Sequence, residues 1–395
     1  MNRFCSMFSQ LLQLFPRTDF QLLVKEAKAE RHARGFSSWN QFVSMMFCQL
    51  GRAHSLREIC HGLSTCEGKL SHLGIDAAPK RSSLAYANEH RPWELYQKLF
   101  FVLLERCRKE APFKKKFRFK NKLVSLDSTV IDLCVSVFDW AKFRRTKGAI
   151  KLHLLLDHDG YLPCFGVITE GKVHDVKVAW SLSFEPGTVV VDDRGYNDYG
   201  LFAKWTEEEV YFVTRMKDNA LYKDNALYTV VEEREVPHNR SILKDQIIVL
   251  SGSGAWEKCP YALRRVEVWD KEKQQTLVFL ANHFGFGAST IAAIYKERWQ
   301  IELFFKALKQ NLKIKTFVGT SANAVKIQVW TALIAILILR YLQLKSKFSW
   351  SLSNLVALLR MNLFTYRDLW AWLDQPFGIP AQSQAAHQQA VLSFG

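Results

Sequence analysis

A chain of 395 residues with 48% hydrophobic and 23% charged residues is long enough for two or three packed units, and its composition excludes wholesale disorder. The formal charge is +16, and residues 1–122 hold 22 Lys plus Arg against 10 Asp plus Glu, a net of +12 that points to a polyanion partner, most simply nucleic acid. Eight cysteines without a CxxC pair fit no common zinc pattern and read as reduced thiols of a cytoplasmic protein, while MNRFCSMFSQLLQLF lacks the apolar core and cleavage site of a secretory signal.

Residues 1–108 read as helical: QLLVKEAKAERHA, SWNQFVSMMFCQL and PWELYQKLFFVLLERC all carry helix-like apolar spacing. SLREICHGL (55–63) and KRSSLAYANEHR (80–91) suit a helix-turn-helix whose second helix offers Lys80, Arg81, Ser83, Asn88 and Arg91 to DNA, although an ordinary helical bundle reads alike. KEAPFKKKFRFKNK (109–122) marks a boundary, either as a basic linker that tracks a phosphate backbone or as a solvated tether.

Beyond it the period changes. LVSLDSTVIDL, then IKLHLLLDHDGYLPCFGVIT as two strands around an Asp-Gly turn, predict a three-strand meander. HDVKVAWSL predicts a helix capped by Asp175, GTVVVDD a short buried strand, DYGLFAKWTEE a helix and VYFVTRM a fifth strand. That order implies a mixed sheet flanked by helices. Residues 217–274 form a patch of short strands containing the tandem KDNALY-KDNALY, after which QTLVFLANHF returns to core-like strand. In that patch Trp256 or Trp269 suits either base stacking or packing.

A helix follows over YKERWQIELFFKALKQNLKIK (295–315). At about 100° per residue, Tyr295, Arg298, Glu302, Lys306 and Lys309 fall in one stripe about 80° wide, while Trp299, Ile301, Leu303, Phe304, Leu308 and Leu312 suit burial. VWTALIAILIL (329–339) is shorter than the roughly 20 residues that span a bilayer, so a core helix rather than a membrane anchor is expected. Residues 350–373 add two apolar helices, and QSQAAHQQA is a polar tail.

The acids on these elements carry the chemistry. Asp127 interrupts an apolar strand, where a buried charge needs a partner. Asp192 and Asp193 end a buried strand, a common place for a site, and Glu302 is ringed by cations. Clustered carboxylates take up protons unless a cation compensates, and an oxygen-rich set suits Mg²⁺ or Mn²⁺. The bland alternatives are local hydrogen bonding of Asp127, turn or cap roles for Asp192 and Asp193, and an i,i+4 pair of Glu302 with Lys306.

Tyr295, Arg298, Glu302 and Lys309 match Y-x2-R-x3-E-x6-K, which resembles the signature of the DDE transposases of the insertion-sequence-four family. VSLDSTV and VVVDDRGYNDY resemble that family's two aspartate strands. The resemblance spans roughly residues 121–345. It implies an α/β, ribonuclease-H-like mixed-sheet core with a β-rich insertion and a helical amino-terminal domain.

The domains so implied are a helical DNA-binding domain with basic linker (1–120), the core in two parts (121–216 and 275–345), the insertion (217–274), and carboxy-terminal helices with the tail (346–395). Asp127, Asp193 and Glu302 take the catalytic and metal-holding places, with two Mg²⁺ ions or Mn²⁺ in their stead. Asp193 is preferred to Asp192 because it directly precedes Arg194-Gly195-Tyr196. Tyr295, Arg298, Lys306, Lys309 and Arg194 would contact DNA.

The function implied is cut-and-paste transposition of a bacterial insertion sequence. The partners would be double-stranded DNA, as terminal inverted repeats and target, and a second copy of the chain in a homodimer at the nucleoid. A metal-dependent nuclease without strand transfer and an inactive DNA-binding derivative are the alternatives.

Overall fold

The computed structural model describes residues 5–31, 33, 35–66, 68–110, 116–134, 137–138, 140, 142–144, 147–216, 228–236, 241–251 and 254–378. Two compact units emerge, residues 1–111 with 311–395, and residues 112–310. The first begins with α1 (Met7–Leu12), α2 (Arg17–Glu26), α3 (Ser38–Gly51), α4 (Leu56–Ser64), α5 (Arg81–His90) and α6 (Glu94–Glu110). Serines start several of them: the Ser37 hydroxyl accepts the Asn40 N–H before α3, and Ser55 accepts the Glu58 N–H before α4.

The helix-turn-helix expectation needs correction at two residues. Asn88 and Arg91 are buried, bound through Gln41, and Arg91 also donates to the Phe36 carbonyl. Both hold α3 against α5, so neither side chain is presented as a DNA reader.

The second unit contains β1 (Leu123–Leu133), β2 (Lys142–Arg144), β3 (Lys147–Asp157), β4 (Leu162–Glu170), α7 (Asp175–Trp180), β5 (Val189–Val191), α8 (Tyr199–Glu207) and β6 (Tyr211–Arg215). β7 (Tyr228–Glu233), β8 (Ile242–Leu250), α9 (Ala255–Lys258), β9 (Leu263–Asp270), β10 (Gln275–Ala281), α10 (Ala288–Glu297) and α11 (Trp299–Asn311) follow. The strands form one sheet in the order β2-β3-β1-β5-β6-β10-β9-β8-β7, with β4 on β3. β1, β3 and β4 are an antiparallel meander, and its β3–β4 turn uses Gly160 and Tyr161 at φ 82° and 54°. β1, β5 and β6 run parallel. This is the ribonuclease-H-like arrangement.

Side-chain alternation divides the core between the two sheet faces. Val124, Leu126, Val190 and Phe212 pack with Phe202 and Trp205 of α8, whereas Leu123, Val189, Val191 and Val213 pack with Ile291 and Ile294 of α10. The strands of the β-rich insertion extend the same sheet, because β9 pairs along the whole of β10. The KDNALY tandem lies outside the described residues except for Tyr228. Nor does the basic segment behave as a tether from residue 116 onward: Lys116 pairs with buried Glu297, and Phe119 stacks on Phe117 and Phe286. Lys114 and Lys115 are outside the described residues.

α12 (Ala322–Lys345), α13 (Leu352–Asn362) and α14 (Leu369–Asp374) belong to the first unit. α12 has the length and hydropathy to cross a membrane, but 83% of its apolar window is buried, packed on α3, α5, α6 and α13. A helix apolar on all sides is a central helix of such a bundle. That burial is why the chain divides near residue 311 rather than at the expected 345–346 boundary. The polar tail lies outside the described residues.

Within the sheet, buried Arg264 makes two bonds of 2.7–2.8 Å to Asp245 across β8 and β9. Removing one partner strands a buried charge. Asp245→Ala is expected to destabilise the second unit by about 3–5 kcal/mol, read as a lower urea midpoint for its transition; an unchanged midpoint would count against a buried pair.

Candidate active site

The two-residue period of β1 and β5 decides which aspartates meet. Leu123, Val124 and Ser125 stand beside Val189, Val190 and Val191. Extended two residues past the end of β5, that register would set Asp127 beside Asp193 on the α10 face and turn Asp192 to the opposite face, although the charges of Arg298 and Asp127 are also felt at Asp192. Asp193 remains extended (φ −95°, ψ 171°) and accepts the Gly195 N–H at 2.7 Å, which starts a short 3-10 turn over Arg194–Tyr196. Asp192 is fully buried, and neither carboxylate oxygen has a hydrogen-bond partner. Nearby Thr214 donates instead to Asn197 at 3.0 Å. Burial pushes the Asp192 carboxyl well above its ordinary value, which favours its neutral form.

Asp127 accepts the Ser128 N–H at 2.7 Å. Burial raises its pKa to about 7 against that hydrogen bond, with Asp193 and Glu302 adding repulsion and Arg298 attraction. The Arg298 guanidinium lies 3.6 Å from Asp127 and 2.5 Å from Glu302, one turn along the helix. Tyr295 completes the stripe, its ring 5.6 Å from the guanidinium and 4.5 Å from Phe279. Lys309 donates to the Val130 carbonyl of β1 at 2.8 Å, which ties the helix to the aspartate strand. Lys306 is exposed, and Arg194 is exposed beside Asp193.

The helix itself departs from expectation. α10 ends at Glu297 and α11 begins at Trp299, with Arg298 between them as a turn residue that keeps helical angles (φ −51°, ψ −32°). The stripe survives this break because those angles preserve the helical direction. Trp299 and Leu303, expected to be buried, are 53% and 39% exposed, while Ile301, Phe304, Leu308 and Leu312 carry the burial. Trp256 is 48% exposed and Trp269 half-buried.

Asp175 was read from sequence as a helix cap. It occupies the first turn of α7 without capping it, and its carboxylate accepts the Ser128 hydroxyl at 2.7 Å and the Lys151 ammonium at 3.2 Å. Ser128 thus bonds Asp127 through its amide and Asp175 through its hydroxyl, a brace invisible to local sequence because its ends are 47 residues apart. Behind Asp127, Ser125 and His158 share a buried 2.6 Å bond, and Tyr161 donates to Glu297 at 2.9 Å.

Asp127 and Glu302 meet at Arg298, and the charge of Asp193 is felt at Asp127; carboxylate oxygens are the donors that hard divalent cations prefer. Among the described residues no three His, Cys, Asp or Glu side chains already stand at metal-ligating positions. The Arg298 guanidinium supplies the compensating charge between two of the acids.

Residues 118–338 match the Transposase DDE domain family, more than half of the chain. The chain belongs to the DDE transposase family. Residues 5–76 match a domain of unknown function (DUF4372). The transposase is similar to a protein named transposase y4zB of Sinorhizobium fredii, 31% identical over 76% of this chain and 81% of that one. It is also similar to one named as the transposase of insertion sequence element IS5377 of Geobacillus stearothermophilus, 28% identical over 76% and 81%. A third, named for element IS4SA of Synechocystis, is 25% identical over 66% and 71%. The family's chemistry is DNA cleavage and strand transfer, and it depends on divalent metal.

Opposite faces for Asp192 and Asp193 predict opposite phenotypes. Asp192→Asn, which replaces a fully buried acid whose neutral form burial favours, should keep cleavage of the element's end within about 10-fold, whereas Asp193→Asn should lose about 10³-fold or more. Equal losses in a gel cleavage assay would contradict the assignment. A second expectation follows from Asp127. Its folded pKa exceeds its unfolded value, so between pH 4 and 7 the folded state binds more protons and stability falls as pH rises. Metal-free Asp127→Asn should show a flatter thermal-midpoint slope across that window than the wild type, measured by calorimetry; identical slopes would refute the shift.

Proposed function

We propose that Asp127, Asp193 and Glu302 are the catalytic and metal-holding acids of this transposase, and that its substrate is the terminal inverted repeat of its own element. The observation that carries the reading is the shared guanidinium: Asp127 and Glu302, from a strand and a helix 175 residues apart, both lie against Arg298. Acids that repel one another are kept together there by one cation, as a site built to receive more positive charge requires.

Two Mg²⁺ ions, or Mn²⁺ in their place, suit this donor set. When bound they would lower the pKa of an attacking water and stabilise the leaving 3′-oxygen. The side chains do the rest. Asp127 releases the proton that burial holds on it at mildly acidic pH. Arg298 and Tyr295 orient the phosphate at the cleavage point, and Lys309, Lys306 and Arg194 hold the flanking backbone. The freed 3′-hydroxyl then attacks the second strand, expelling the flanking DNA's 3′-oxygen and closing a hairpin. A second water reopens the hairpin, and the regenerated 3′-hydroxyl attacks target DNA, expelling a target 3′-oxygen, without a covalent enzyme intermediate. Handling both ends of one element calls for a homodimer in the DNA complex. The buried α12 and the buried thiols Cys48, Cys60 and Cys107 support a cytoplasmic protein, working at the bacterial nucleoid, with no membrane anchor.

The test compares wild type with Glu302→Gln on a labelled duplex carrying the element's end, with and without Mg²⁺. Cleavage at the boundary should require metal and fall about 10³-fold or more in the variant, with duplex binding retained. Equal cleavage by both proteins would remove Glu302 from the site.

A further inference from the structure

Away from the acids, the helical unit holds an open groove of about 610 Å³ between the start of α4 and the start of α5. His54 and Arg57 line it from one side, Arg81 and Ser82 from the other, with Phe317 and Val318 as apolar wall. Arg57 and Arg81 are exposed, and among the described residues neither has an ion-pair or hydrogen-bond partner.

Further positive charge stands behind them. Buried Lys313 places its ammonium 2.7 Å from the His54 ring. Burial lowers its pKa, and the neighbouring Arg52 adds to that effect while Cys48 and Glu58 oppose it. Glu58, the carboxylate on α4, is already engaged by the His54 backbone N–H at 2.9 Å. At the start of α4 the Ser55 hydroxyl accepts the Glu58 N–H. Grouping Arg52, Arg57, Arg81 and Lys313 with one occupied acid costs self-repulsion that an anionic ligand would relieve. Two arginines on separate helices, a free serine hydroxyl and an aromatic wall match a phosphodiester backbone with its sugars better than a lone anion.

We propose that this groove grips the phosphodiester backbone of the element's DNA, Arg57 and Arg81 each taking one phosphate. The assignment rests on the transposase reading and extends it to a specific grip in the helical unit. It keeps Arg81 of the expected second helix and pairs it with Arg57 of the first, in place of the buried Asn88 and Arg91.

The experiment measures binding of the full chain to a fluorescent duplex of the element's end, without divalent metal, across a KCl series. Each phosphate contact contributes about 0.9 to the slope of log affinity against log salt. Arg57→Ala/Arg81→Ala should therefore reduce the slope by about 1.8, and each single variant by about 0.9. Arg57→Lys/Arg81→Lys should keep it, and so should Arg106→Ala, which removes an ion-paired arginine elsewhere in the unit. The single variants carry the test if the double variant melts early.

An unchanged slope in the alanine variants, with wild type binding normally, overturns the groove and leaves the transposase reading standing. An equal drop in Arg106→Ala overturns it as well, by showing a general loss of charge. Unchanged DNA binding with lost binding to a poly-glutamate peptide would assign the groove to an acidic protein segment instead. Failure of the wild type to bind the duplex at all would overturn the underlying reading.

Discussion

Repulsion among carboxylates is the constraint around which the catalytic unit is organised. Asp127 and Glu302 come from β1 and α11, and the charge of Asp193 is felt at Asp127. Such a cluster persists in a folded protein only if it is neutralised, protonated or paired. All three remedies appear in this unit. Arg298 pairs with two of the acids, Asp127 has its pKa raised to about 7, and burial favours the neutral form of the adjacent Asp192.

The rest of the second unit fixes that geometry. Asp127 lies on β1 and Asp193 two residues past the end of the neighbouring parallel strand β5, and Arg298, just before the helix that carries Glu302, reaches Asp127. Lys309 ties the helix to the Val130 carbonyl, three residues beyond Asp127, so the helix acid is held to the strand acid from both sides of the stripe. Ser128 links Asp127 to Asp175 and Lys151, which limits the freedom of the first acid. A site that must hold cations and a phosphate in line gains from this rigidity, because misplacement of reacting groups by about 1 Å costs orders of magnitude in rate.

Much of this was legible in the sequence, and the reasons differ by element. β1, β5 and β6 announced themselves as apolar runs of strand length, and the stripe from Tyr295 to Lys309 followed from helical period alone. Asp193 could be chosen over Asp192 because it directly precedes Arg194-Gly195-Tyr196. Other features depend on contacts that no local pattern contains. Trp299 and Leu303 are apolar yet exposed, since burial on α11 is set by what packs against it. Asn88 and Arg91 are polar yet buried, because Gln41 from another helix satisfies them. The Asp175 brace and the continuation of the sheet through β7, β8 and β9 are pairings between distant segments, which only the assembled fold supplies.

The most direct measurement is a crystal structure of the full chain soaked with Mn²⁺, examined for anomalous scattering. The account predicts two Mn²⁺ peaks bounded by Asp127, Asp193 and Glu302, with Arg298 displaced from at least one carboxylate and Asp192 untouched. Manganese bound through Asp192 instead, or none at the three acids while Arg298 keeps both contacts, would contradict it.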